Sequence, residues 1–195
     1  MKMKKSILGA IVLGGVIIVP AANAEMVANL GYAFGGDTLA ETDGADLDAG
    51  GGFYGDIGVL HHPDGSNISY QATIGLKIDT VDATNGDADT SSLPLNFLVF
   101  YNGDSNFRFG AGITYELAPE YSYNAFGSSD EIEFDDALGF TVEVDYFLNE
   151  KAFLGARYTS IDYDLPGGQA LLSTGGAIVT SVDASNLGIH VGIIF

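Results

Sequence analysis

The sequence contains no cysteine and no tryptophan. Without Cys there is no disulfide scaffold, no thiolate metal site and no thiol nucleophile. Cationic residues are scarce, with seven Lys and Arg against 26 Asp and Glu. Affinity for nucleic acid rests on cationic contacts to phosphate, so no nucleic-acid partner is expected. After residue 24 there is no apolar run long enough for a membrane-spanning helix. The chain is nonetheless 47% hydrophobic. That content separates it from acidic disordered tails, which are poor in apolar residues. Its 195 residues suit a single domain.

Residues 1–24 read as a secretory signal peptide. Lys2, Lys4 and Lys5 form a basic start, residues 7–19 form an apolar stretch, and Ala22-Asn23-Ala24 is a small-residue cleavage site. A retained anchor is the alternative, but the stretch is short for a spanning helix. The expected organisation is therefore a signal peptide over 1–24 and one domain over 25–195. Cleavage leaves four bases, Lys77, Arg108, Lys151 and Arg157, against all 26 acids.

The mature chain alternates with period two, the signature of half-buried strands. Ile68, Tyr70, Ala72, Ile74, Leu76 and Ile78 alternate with Ser69, Gln71, Thr73, Gly75 and Lys77. Phe107, Phe109, Ala111, Ile113 and Tyr115 alternate with Arg108, Gly110, Gly112, Thr114 and Glu116. Leu138, Phe140, Val142, Val144 and Tyr146 alternate with Gly139, Thr141, Glu143 and Asp145, and Leu187 to Phe195 follows the same rule. Four weaker runs begin near Ala28, Phe53, Leu93 and Leu154; Leu98 and Phe100 blur the polar face of the third. The total is eight strands.

Short Gly-, Asn-, Asp- and Pro-containing turns fall near residues 62–66, 102–105 and 149–150, and long connections near 37–48, 80–91, 119–131 and 165–180. Such an up-and-down meander predicts an all-β, antiparallel transmembrane barrel of eight strands. Ten strands follow if the uncharged segment 167–179, with Thr174-Gly175-Gly176 as its turn, returns to the membrane as a further hairpin. A soluble sandwich or lipocalin-like barrel is the competing fold. Two observations favour the membrane. The second face is rich in Gly, Ser and Thr rather than Lys, and aromatic residues gather at both strand ends. Tyr70, Tyr101, Phe107, Tyr146 and Phe195 lie near the short turns, and Phe34, Tyr115 and Tyr158 near the long loops.

The last strand ends Gly188-Ile189-His190-Val191-Gly192-Ile193-Ile194-Phe195, and a late strand carries Gly155-Ala156-Arg157-Tyr158. In these features the chain resembles the small eight-stranded outer-membrane proteins of Gram-negative bacteria: the OmpA transmembrane domain, OmpX and the OmpW-like porin family. Leu117-Ala118-Pro119-Glu120-Tyr121 resembles the YfaZ-like subgroup. The resemblance implies location in the outer membrane, contact with its lipid and lipopolysaccharide, and a monomer. It also implies that Val191, Ile193 and Phe195 form a C-terminal signal read by the barrel assembly machinery.

Charge sorts by location. Seventeen of the 26 acids lie in or beside the long connections. Solvation explains them simply; loose divalent-cation binding beside lipopolysaccharide is the sharper alternative, and no connection has a complete calcium loop. No other cofactor is expected. Three of the four mature bases, Lys77, Arg108 and Arg157, fall on the lumen side, with Asp56, Glu116, Glu143 and Asp145 as partners. Counting across the turn at Asn149-Glu150 sets Glu143 opposite Arg157, with Arg108, Asp145 and His190 at similar depth. The expected outcome is a lumen closed by paired charges; a gated narrow pore is the alternative. Catalysis is not expected. His61 and His62 sit at a short turn and point to opposite faces, and His190 has Gly192, not Ser, two residues on.

Overall fold

In a computed structural model, residues 24–41, 46–83, 86–103, 105–125, 128–168, 171–172 and 178–195 are described. The signal peptide up to residue 23 and the turn at Thr174-Gly175-Gly176 lie outside the described residues.

Eight strands close into a barrel: β1 Ala24–Phe34, β2 Gly52–His61, β3 Ile68–Ala83, β4 Gly86–Asn102, β5 Phe107–Ala125, β6 Ala137–Phe147, β7 Ala152–Ser160 and β8 Asn186–Ile194. Each neighbouring pair is antiparallel; β8 pairs with β1 and β4 with β5, so the main barrel wall has no open edge. The ten-stranded alternative does not hold. Leu171–Leu172 and Ile178–Val179 pair only with each other, in a two-stranded sheet separate from the barrel.

The faces divide as the pleat requires. Leu30, Phe97, Phe140, Ile189 and Val191 are among the large apolar side chains exposed on the outside. Polar and charged residues are buried inside, an inversion of the soluble arrangement that suits a bilayer as solvent. Aromatic clusters sit at both ends of the wall: Tyr32 packs on Phe34 and Phe53 at one end, and Phe107 on Tyr146 at the other. Val191, Ile193 and Phe195 face outward, and the Phe195 and Met26 backbones exchange two hydrogen bonds of 2.8 and 2.9 Å that seal the seam.

The long connections differ from the sequence expectation. Segments 80–91 and 119–131 are not open loops. The β3 and β4 ladder continues from Ile78–Ser91 to Ala83–Gly86, the β4 and β5 ladder to Gly86–Ala125, and Ser128–Glu133 adds a fourth strand against β5. A hairpin of Thr38–Glu41 and Asp46–Asp48 and a short ladder of Asp162–Asp164 with Ser181–Asp183 join them. Where β5 leaves the wall, pairing to β4 shifts register, and Ala118 takes φ +45° with its N–H donating to Asp136 Oδ1 at 2.9 Å. A bulge of this kind bends a strand without ending it.

These extensions carry their own core, a cap over one barrel mouth. Ala49, Phe134, Ile161, Tyr163, Leu165 and Val182 belong to one buried cluster. Leu47, Val81 and Ala88 form a second, with Tyr121 and Tyr123 against it. Gly36, at φ +92°, allows the first connection to turn under the cap; a Cβ there would lie 2.6 Å from the Gly50 nitrogen.

Candidate functional site

All eight charged residues expected in the lumen are buried inside the barrel: Asp56, Lys77, Arg108, Glu116, Glu143, Asp145, Arg157 and His190. They form two groups, at different depths.

The deeper group sits near the short-turn end. Register sets Glu143 of β6 directly opposite Arg157 of β7, and Arg157 Nε donates to Glu143 Oε2. The same guanidinium reaches Asp56 Oδ2 at 3.2 Å, and Asn29 Nδ2 donates to the other Asp56 oxygen at 2.7 Å. Arg108 Nε donates to Asp145 Oδ2 at 2.7 Å, and its Nη2 to Gln71 Oε1 at 3.3 Å. His190 Nε2 lies 3.2 Å from Asp145 Oδ1 and 3.7 Å from Glu143 Oε1. Its Nδ1 lies 3.0 Å from the Tyr54 hydroxyl.

Asp145 and His190 belong to strands that are not neighbours. They meet because Gly155 of β7 pairs with both and has no side chain to separate them. A Cβ at Gly155 would stand 2.1 Å from His190 Nε2 and 2.2 Å from Asp145 Oδ1.

The upper group is smaller. Lys77 Nζ donates to Glu116 Oε1 at 3.1 Å and to the Tyr163 hydroxyl oxygen at 3.2 Å. Ser92 donates to Glu116 Oε2 at 2.6 Å, and the Tyr163 hydroxyl donates to the same oxygen. Between the groups runs a neutral rung in which Asn96, Thr114, Thr141 and Thr159 hydrogen-bond in series.

Aromatic side chains complete the filling, and the sequence analysis did not assign them to the lumen. Tyr54 stands over Gly31, Phe100 over Gly110 and Phe153 over Gly192, each glycine being the cross-strand partner of the ring above it. Arg108 is held among Phe100, Phe153 and Phe147, its guanidinium carbon 4.1, 4.5 and 5.3 Å from their centroids. Below it Val27, Leu60, Phe153 and Ile194 form an apolar floor. The inward Leu98 and Phe100 that blurred the β4 pattern belong to this deeper filling. A usable signal was the glycine opposite each ring; pairing register was needed to read it.

The tiers can hold charge, share protons and exclude solvent. Each of the three carboxylates in the deeper group meets an Arg, as burial of ions demands.

The family model described as outer membrane protein beta-barrel domain matches residues 8–195. The chain belongs to that family. Among solved structures, this outer-membrane barrel is similar to Ail, the attachment invasion locus protein of Yersinia pestis, in complex with the heparin analogue sucrose octasulfate. The TM-score is 0.57 at 11% identity, over 89% of this chain and 99% of that one. It is also similar to Neisserial surface protein A (TM-score 0.52, 14% identity, 88% of this chain and 97% of that one). OprG from Pseudomonas aeruginosa is a third (TM-score 0.50, 17% identity, 89% and 96%). No curated protein matches the sequence. At these identities the likeness speaks for the fold, and with the family match it places this barrel in the outer membrane of a Gram-negative bacterium.

Proposed function

We propose that the barrel is a closed, non-enzymatic anchor that displays an acidic cap at the cell surface. The observation that carries this reading is the filled lumen. An apolar floor, two tiers of paired charge and a packed cap lie in series along the axis. Eight strands leave an interior that side chains can fill. The gap beside Tyr54, Asn96, Thr114 and Arg157 is of water size.

The surface-interaction half of the reading rests on the cap sheet. Register sets Asp82, Asp87, Asp89, Glu120, Glu131 and Glu133 on one face of its four strands. No Lys or Arg occurs in segments 79–91 or 120–133. Such a face repels polyanions and suits a cationic partner or loosely held divalent cations beside lipopolysaccharide. In this it differs from what Ail is bound to in its complex, a heparin analogue. Outer-membrane lipid surrounds the wall as a single copy, and the C-terminal strand with Phe195 serves the assembly machinery. His62, whose Nε2 meets the Ser66 carbonyl oxygen at 2.7 Å, and the enclosed His190 support a non-enzymatic role.

Single-channel recording of the purified protein in planar bilayers tests the reading. A silent wild type is expected. Discrete conductance steps would put the alternative, a narrow channel for ions or small solutes, in first place.

A further inference from the structure

We propose that the lumen holds one divalent transition-metal ion, bound by Glu143 Oε1, Asp145 Oδ1 and His190 Nε2. From sequence, divalent cations are expected only at exposed loop carboxylates; this site is inside the wall. It is independent of whether the cap binds a partner.

Three observations point to a ligand. First, these three atoms are buried, approach one another but hydrogen-bond to no polar atom outside the trio, and lie within 4.8 Å of one another. Among the described residues no other such group of His and carboxylates converges. Donors about 2.0–2.1 Å from a tetrahedral ion stand about 3.3 Å apart. The separations from Nε2 are 3.2 and 3.7 Å, close to that spacing, and the two carboxylate oxygens, within 4.8 Å of each other, would draw together around an ion.

Second, every other polar atom of the three side chains is already oriented. Glu143 Oε2 accepts from Arg157, and Asp145 Oδ2 accepts from Arg108. His190 Nδ1 meets Tyr54. With the Nδ1–H donating to the Tyr54 oxygen, Nε2 turns its lone pair into the gap. Metal-bound histidines are commonly fixed by such an outer contact, and ligating carboxylates are themselves hydrogen-bonded. One imidazole nitrogen and two carboxylate oxygens suit zinc, cobalt(II) or manganese(II).

Third, Gly155 keeps the gap clear, since even a methyl group would fill it. The charge sum calls for a cation; a proton would bring it to zero and a divalent ion to +1. Asp56, Glu143 and Asp145 face only Arg108 and Arg157, so with a neutral His190 the group is one charge negative. The floor below and the cap above deny an ion free passage, so loading would accompany folding. The competing occupant is a proton on Nε2 shared by the two carboxylates.

The test uses the mature protein, isolated in detergent without chelator and also refolded with Co²⁺. Folding is monitored by the mobility difference between heated and unheated samples. The expected result is about one metal ion per chain, Co²⁺ visible bands, and retention against EDTA until the barrel unfolds. His190→Gln should fold and lose the bands. Tyr54→Phe should fold and bind Co²⁺ about 10–100-fold more weakly. It keeps the test decisive if His190→Gln does not fold, because unchanged Co²⁺ affinity in Tyr54→Phe overturns the coordination. A folded wild type with no metal above the blank and no Co²⁺ bands overturns the site. So do bands that survive His190→Gln. Both ring nitrogens of His190 carrying protons by ¹⁵N NMR would assign the gap to the proton.

Discussion

Arg157→Ala is the sharpest perturbation of the lumen. The guanidinium serves two buried carboxylates, Glu143 and Asp56, and stands 5.7 Å from the Tyr54 ring centroid. Its loss leaves Asp56 with Asn29, and Glu143 with only the more distant His190. Breaking a buried pair from one side costs about 3–5 kcal/mol, because a desolvated charge is left uncompensated. That corresponds to a shift of about 100- to several-thousand-fold in the unfolding equilibrium. Water can enter the vacated polar space, so no dry-cavity penalty is added. The assay is urea unfolding in detergent or thin bilayers, on protein refolded from a metal-free, chelator-treated unfolded state so that metal release does not contribute. Glu143→Ala and the double variant complete a cycle, in which the two losses should fall short of additivity by about 1–3 kcal/mol. A single variant within about 0.5 kcal/mol of wild type refutes the pairing as a source of stability, since such small changes are typical of surface sites. Strict additivity refutes the direct contact.

Three other outcomes follow from separate parts of the molecule. Gly155→Ala puts a methyl group where two polar atoms already meet, so it should cost at least the ~1–3 kcal/mol of overpacking and lower the heated-gel transition temperature. Phe195→Ala removes a side chain that faces lipid, so refolded stability should change by under about 1 kcal/mol, whereas the amount assembled in cells should fall clearly; equal losses in both would make the residue structural instead. Glu120 is pushed above the usual carboxylate range by burial, then by Glu131, Glu133 and Asp89. Its folded value exceeds its unfolded one, so its contribution is full below the unfolded value and is lost as pH rises through the folded one. Protection factors in the cap, with the intrinsic pH dependence of amide exchange divided out, should therefore fall as pH rises through the folded value, and Glu120→Gln should flatten that fall.

Much of the wall was legible because a barrel in lipid writes its two faces at period two. β3 over 68–78, β5 over 107–116, β6 over 138–146 and β8 over 187–193 show that alternation clearly. The Glu143–Arg157 contact followed from turn position alone, because a two-residue error in register would have moved it a full step along the lumen. β4 was less clear for a physical reason. Its inward Leu98 and Phe100 serve the deeper filling around Arg108, so the polar face there is apolar. The cap was missed for another. Its strands are short and acidic on the solvent side, and their apolar face (Val81, Ala88, Tyr121, Tyr123) covers other connections rather than a single facing sheet. Asn85-Gly86 was an available hairpin signal inside the segment read as loop.

Tyr54 marks the boundary of what a single sequence gives. It points inward on β2, opposite to its exposed neighbour Phe53, in a run whose alternation is weak. That it reaches His190 depends on β1, which lies between β2 and β8 and offers only Gly31 beneath the ring. The same device sets Asp145 against His190 across Gly155. In both cases the contact links strands two apart, and the residue that permits it is the one without a side chain. Long-range chemistry in a small barrel is therefore encoded at its glycines, where an alternation pattern has nothing to count. It becomes readable only when the register of three adjacent strands is known together.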